Sequence, residues 1–493
     1  MKKQSIVILI FALLGFLALG GCATLPPSTI NIFALVKTGS PEQVTKAVRT
    51  GTNVNARDEN GWTPLMIAAS FNRSPEVVAA LLAGGAVVDA QNSYGVTSLM
   101  DAAAENSNPE VITMLVKGGA DVKARSKEGW TPLMFAAAHN KSPSIIISLL
   151  NAGAAIDERN DSWTPLMLAI YNNQPLEVIT TLLKAGADVR AQNKDGSTPI
   201  MIAAAKNKNS EVITALLAAG GNVETRDNRS WTPLIIAIFN NTPEVIAALL
   251  AGGASVEART NGFTPLMKAA ETRGPEIINL LLKAGADSNA AQKMFGWTAL
   301  MSAAKFNPDS DVIMTLLSAG ADPNARYNDG STPLMYAAEY NKNPEVAVTL
   351  LKAGADLSSR DNGGWTPLML ALHDNTNQDI IPVLLTAGAA ITDQTKDGLT
   401  LLMIAIKQNQ SSIVVSLLLK SGVKLNAQDE NGCTALMFAA KNAQTPEGIT
   451  ILLTAGADAK IKDNSGETAY SYAQENPKLA GTDVLKQLEA AQL

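Results

Sequence analysis

One short motif, Thr-Pro-Leu-Met or a near variant of it, runs through almost the whole chain. Its threonine stands at Thr63, Thr97, Thr131, Thr164, Thr198, Thr232, Thr264, Thr298, Thr332, Thr366, Thr400, Thr434 and Thr468. Ten of the twelve intervals are 34 residues, and the other two are 33 and 32. A fixed period of this length describes a row of like units, each too small to bury its own apolar face, so neighbours must stack around one shared core. That excludes the division into about three compact domains that 493 residues would otherwise suggest.

Within a unit the residues dictate two short helices. Thr63 is a good N-cap and Pro64 suits the first helical position, where its missing N–H is no loss. Pro75-Glu76 starts a second helix with a carboxylate at the positive end of its dipole, and the pair recurs at Pro41, Pro109, Pro243, Pro275, Pro344 and Pro446. Gly85, Gly119, Gly153 and Gly186 stand where that helix should end in a left-handed turn. Asn60-Gly61, Asp195-Gly196, Asp329-Gly330 and Asn431-Gly432 then predict tight hairpins.

This arrangement, "GWTPLM..AA" followed by "EVV..LL..GA" and "VNARD", resembles the ankyrin repeat from about Ile30 to the end of the chain. The resemblance implies an all-α repeat solenoid: an ankyrin stack of helix-turn-helix units with β-hairpin loops, about 13 repeats and an amino-terminal capping helix pair. The expected boundaries are a capping pair with the first hairpin at 30–61, repeats at 62–462 and a closing repeat at 463–493. Two departures stand out. The histidine usual after Thr-Pro-Leu is methionine in eleven repeats, from Met66 to Met437, and reads as core filler. The turn between helices carries "N-x-x-P-E", which is expected to alter the turn and not the stack.

The first 21 residues have the layout of a secretory signal: Lys2 and Lys3, an apolar run from Ile6 to Leu19, then small residues. Leu19-Gly20-Gly21-Cys22 resembles the lipobox of bacterial lipoproteins. The resemblance implies cleavage before Cys22, lipid on its sulfur, a short tether over 22–29, and a position in the bacterial cell envelope. Ala23, where an aspartate would favour the inner membrane, points to the outer one.

Composition excludes several function classes. The net charge of −6, with lysine and arginine scattered, leaves no basic surface for nucleic acid. Two histidines and two cysteines give few soft metal ligands. No nucleophile elbow, phosphate loop or Cys/His pair is present, so no enzyme activity, cofactor or metal is expected. His139 and His373 read as surface residues, and Cys433 as an exposed free thiol.

Aromatics are sparse, at 5%, and one-sided. All six tryptophans, Trp62, Trp130, Trp163, Trp231, Trp297 and Trp365, immediately precede a motif threonine, as does Phe263. Phe71, Tyr171, Phe239, Phe306 and Tyr340 fall near the ends of first helices, while the central second helices carry none. In ankyrin proteins hairpins and first helices line the concave side, so these twelve are the candidate partner-binding residues. The expectation is a lipid-anchored scaffold that recognises a protein or peptide partner. A glycan stacked on the same tryptophans, or a passive spacer, is the alternative. An Arg or Gln column precedes the threonines, and six of its seven arginines share a hairpin with Trp or Phe. That predicts guanidinium stacking on the rings.

Overall fold

A computed structural model describes residues 31–442 and 445–492. The signal, the lipidation residue Cys22 and the tether lie outside the described residues. Those described form paired helices throughout, and none of these helices is long and apolar enough to cross a membrane. The fold is the expected helical repeat solenoid.

The helices start for the reasons the motif implies. The Thr63 hydroxyl accepts the Met66 N–H at 3.3 Å and opens the helix Pro64–Phe71, and the second helix, Pro75–Ala83, again has proline first. Gly85 follows with φ of +87°, a conformation that penalises any residue carrying a Cβ. Methionine in the histidine slot is fully buried, as at Met100, Met335 and Met403. It has a second role not foreseen. The Met335 sulfur accepts the Thr332 N–H at 3.4 Å, and Met100, Met267, Met403 and Met437 do the same for their own N-cap residues, closing a weak capping box.

Contacts group the chain into two units that divide between Ala187 and Asp188. In the first, Pro64–Phe71, Ser98–Glu105, Pro132–His139 and Pro165–Tyr171 pack in succession, and the second helices from Pro75–Ala83 to Leu176–Lys184 form a parallel row. The second unit repeats this from Pro199–Lys206 to Ala469–Glu475. Leu65, Leu81, Leu99, Leu115 and Leu133 are completely or almost completely buried. Each contributes about 1.5–3 kcal/mol by leaving water. The capping helices are amphipathic: Pro41–Arg49 buries only Val44 and Ala47, and Asp483–Gln492 only Val484 and Leu488.

The inter-helix turn does more than the sequence suggested. Asn106 is buried, and its Nδ2 donates to the main-chain oxygens of Ala69 and Asn72 at 2.7 and 2.9 Å while its Oδ1 accepts the Asn108 N–H. Asn140, Asn241, Asn307, Asn341 and Asn375 make the same pair of bonds to the repeat before. The "N" of "N-x-x-P-E" is therefore a rung that ties helix ends together across repeats, so the motif does act on the stack.

The hairpins are turns rather than ladders. Among the described residues there is no strand, only isolated bridges at Asn160↔Trp163, Thr260↔Phe263 and Gln394↔Thr400. Successive turns, here called fingers, touch through single backbone bonds such as Asn362 N–H to Asp329 O at 2.7 Å. The two irregular intervals have a local cause. Asp161 and Ser162, and Asn261 and Gly262, have positive φ in two-residue turns that drop one residue from the finger. The 32-residue interval loses a second residue between Asn241 and Pro243.

Candidate docking face

The backbone sets each finger aromatic in place. The carboxylates of Asp58, Asp227 and Asp361 accept the N–H of Trp62, Trp231 and Trp365, each at 2.8 Å, and the Ser126 hydroxyl accepts that of Trp130 at 3.1 Å. The acceptor lies four residues before the indole and closes the turn, so the ring leaves the finger in a fixed direction.

That direction leads to the end of the first helix. Trp163 meets Tyr171 edge-on with ring centres 5.4 Å apart, Trp231 stacks on Phe239 at 5.1 Å, and Trp365 meets His373 at 5.0 Å. Trp130 lies over His139 at 6.1 Å. Eight or nine residues separate the partners, about two helical turns along one face. At Trp163 and Trp231 the finger and helix-end aromatics, separate columns in the sequence, are thus ring pairs.

Exposure sorts the candidates. Phe71, Phe306 and Tyr340 are exposed, and Trp130, Trp163, Tyr171, Trp231, Phe239, Phe263, Trp297 and Trp365 are half-buried. Trp62 differs. It is only 8% exposed, packed on Met66 and Ala90, and offers little surface to a partner.

Five arginines of the column, Arg57, Arg226, Arg259, Arg326 and Arg360, reach backbone oxygens where stacking on the rings was expected. Arg226 Nη1 donates to the oxygens of Ser230, in its own finger, and Arg259, in the next, at 2.9 and 3.0 Å. Arg57, Arg259, Arg326 and Arg360 bridge fingers likewise. Gln428 makes the same two bonds through Nε2, to Gly432 and Lys462. An N–H that reaches two carbonyls is the common requirement, which is why Arg and Gln alternate in one slot. Nothing in the structure explains why arginine favours fingers with an aromatic. The guanidinium over Trp231 belongs instead to Arg229, 4.6 Å from the ring centre.

The densest ring cluster is in the second unit. Trp297 lies 4.8 Å from Tyr336 and 5.6 Å from Tyr327, Tyr336 lies 6.4 Å from Tyr340, and Phe295 lies 6.0 Å from Tyr327. Lys305 reaches over these rings, and Glu339 and Asp374 stand beside them. None of these three charged residues stood out in the sequence. For Lys305 and Glu339 the available signal was a charge in the slot that Ser70, Ala104 and Ala138 fill in other repeats.

Burial tunes several groups on this side. It pushes the His139 imidazole down to about 4, so this half-buried ring is not the surface histidine expected from the sequence. Asp101 is raised well above the usual carboxylate range by burial and then by the nearby Glu105 charge, and its Oδ2 has no hydrogen-bond partner. Burial also raises Glu105. Cys433 is half-buried rather than exposed, with its thiol raised by burial and by the Asp429 and Asp463 carboxylates. Among the described residues, no three His, Cys, Asp or Glu side chains gather as metal ligands would.

A family model described as ankyrin repeats, three copies to the model, matches ten overlapping stretches that run from 32–126 to 402–489. The chain belongs to the ankyrin-repeat family. A search of curated proteins returned no match. As an ankyrin protein it departs from the family pattern the sequence led us to expect in two built features, the methionine in the histidine slot and the buried asparagine rungs.

Proposed function

We propose that this ankyrin protein is a non-catalytic docking scaffold, held at the outer membrane of a bacterial envelope by lipid on Cys22, that binds a protein or extended peptide. The binding surface is formed by the ring pairs of its fingers and first helices. The pairing of Trp163 with Tyr171 and of Trp231 with Phe239 carries this reading: each pair gives a rigid, half-exposed aromatic anchor of the kind that dominates binding energy. Membrane attachment is supported by the sequence of residues 1–22.

The test is affinity capture from envelope extracts with the mature lipidated protein, alongside a Trp231→Ala/Phe239→Ala variant of equal thermal stability. A partner recovered by the first and lost by the second supports docking. An identical set of captured proteins refutes it and favours a passive spacer.

A further inference from the structure

Most polar side chains on the second unit's fingers and first-helix ends serve turns, caps or bridges between repeats. The cluster around Lys305 does not. The Lys305 ammonium lies 3.9 Å from the Tyr340 ring centre, 5.4 Å from those of Phe306 and Tyr336, and 6.0 Å from that of Trp297. Four electron-rich faces thus converge on one cation, and ring faces attract cations through their quadrupoles. A lysine with a flexible four-carbon stem had open solvent available, so its seat here shows which charge the place accepts.

The surroundings carry the opposite sign. Glu339 is close enough to Tyr340, Asp374 and Lys305 for each to act on it, and Asp329 is close enough to act on Tyr336 and Tyr340. Neighbouring carboxylates repel each other, and Glu339 is half-buried, where the repulsion is screened less than in water. Lys305 compensates from one side, and His373 approaches Asp374 at 2.8 Å from the other. Three carboxylates against one permanent cation leave the cluster short of positive charge.

The rim is open. Phe306 is 54% exposed and Tyr340 is 44% exposed. The finger before Trp297 is one residue longer than its neighbours and holds out Met294, 71% exposed.

We infer that the Lys305 cluster is a recognition pocket for an arginine side chain of an extended peptide, with Lys305 as the resident occupant that the incoming guanidinium displaces. Guanidinium fits better than a second ammonium. It is planar, stacks on Tyr340 and Phe306, and at the same time presents a fork of N–H donors to Glu339 or Asp374. The inference rests on the docking reading above and gives that reading a ligand chemistry.

The test uses anisotropy of a fluorescein-labelled Gly-Arg-Gly-Arg-Gly-Arg-Gly peptide on the mature lipidated protein in detergent, with citrulline replacing arginine as the neutral control. Tyr340→Leu keeps bulk but removes the ring, and Glu339→Gln removes the charge. Each should weaken arginine-peptide binding about tenfold and leave citrulline binding alone. Lys305→Met, which removes the resident competitor and adds a net negative charge, should tighten binding by about the same factor. A neutral effect or a loss in Lys305→Met, with thermal melts unchanged, overturns the displacement model. An affinity untouched by Tyr340→Leu and Glu339→Gln overturns the pocket.

Panning a random displayed peptide library separates this failure from that of the docking reading. Enriched arginine-containing peptides that are lost on Tyr340→Leu support the inference. Enriched peptides indifferent to Tyr340→Leu but lost on Trp231→Ala overturn it and leave docking intact. No enrichment overturns both.

Discussion

The side chain of Asn341 donates to the main-chain oxygen of Asn307, 34 residues earlier, at 2.9 Å, and Asn307 in turn donates to Arg273 at 3.0 Å. Each rung lies in the protein interior, where a carbonyl deprived of its donor finds no water. Asn341→Ala strips the oxygens of Ala304 and Asn307 of a donor and the Asn343 N–H of its acceptor. Stability should fall by about 2–3 kcal/mol. Urea unfolding followed by circular dichroism checks this, and a change no larger than that of an exposed control would show that the rung is dispensable.

Asp101 works against the fold at neutral pH. Its folded-state pKa is raised, so its favourable contribution is complete only below the unfolded value of about 3.9 and is lost as pH rises through the folded value. Ile67, Phe135 and Leu168 occupy the same slot in neighbouring repeats. Asp101→Ile should therefore stabilise the protein at pH 7 by roughly 1–3 kcal/mol and by much less at pH 4. Melting temperatures across that range decide it, and a gain independent of pH would mean that the carboxyl is not the cause.

Finger bridging requires a donor and not a charge. Arg226→Gln should preserve stability to within about 0.5 kcal/mol, since Gln428 makes the equivalent bonds, whereas Arg226→Met should lose roughly 1 kcal/mol. Trp231 emission should respond to Arg229→Ala and not to Arg226→Gln. The reverse pattern would restore guanidinium stacking by the column.

Trp62 and Trp231 should separate packing from docking. Trp62→Ala opens a cavity beside Met66 and Ala90 and should lower stability by about 3 kcal/mol, with partner capture retained by the molecules that remain folded. Trp231→Ala should cost less stability and more binding. Equal effects of the two variants on capture would erase the distinction.

Attachment is tested most directly at its own residue. Metabolic labelling of whole cells with an alkyne-tagged fatty acid should mark the protein and not its Cys22→Ser variant. Equal labelling of the two would place the lipid elsewhere.

The fold was legible because its signals are local. Thr-Pro opens a helix and a positive-φ glycine follows one, whatever lies beyond. The even 34-residue period nevertheless concealed one exchange: the repeat from Thr264 loses a residue before Pro275 and regains it in the long finger before Trp297. The rungs and the finger bridges were misread for a shared reason. Asn106 and Arg226 act on carbonyls a whole repeat away, and backbone acceptors leave no mark in sequence. The aromatic side was visible as composition, but its pairing was not, because Trp231 and Phe239 are joined only once the finger folds back over the helix. Lys305 was hidden for the same reason: its four ring neighbours come from two repeats.

The asparagine rungs also bear on how such a chain can change length over generations. Because a rung needs only a carbonyl at the matching place in the unit before, excising or duplicating one complete unit within a regular run hands every surviving amide an equivalent acceptor. A single lost residue is absorbed only where a finger can shorten, as at Asp161-Ser162 and Asn261-Gly262, and there Gln174 and Arg273 take the place of asparagine in reaching the repeat before. Unequal crossing-over in whole modules is therefore a route by which a gene of this design can grow or shrink while every rung keeps an asparagine and its acceptor.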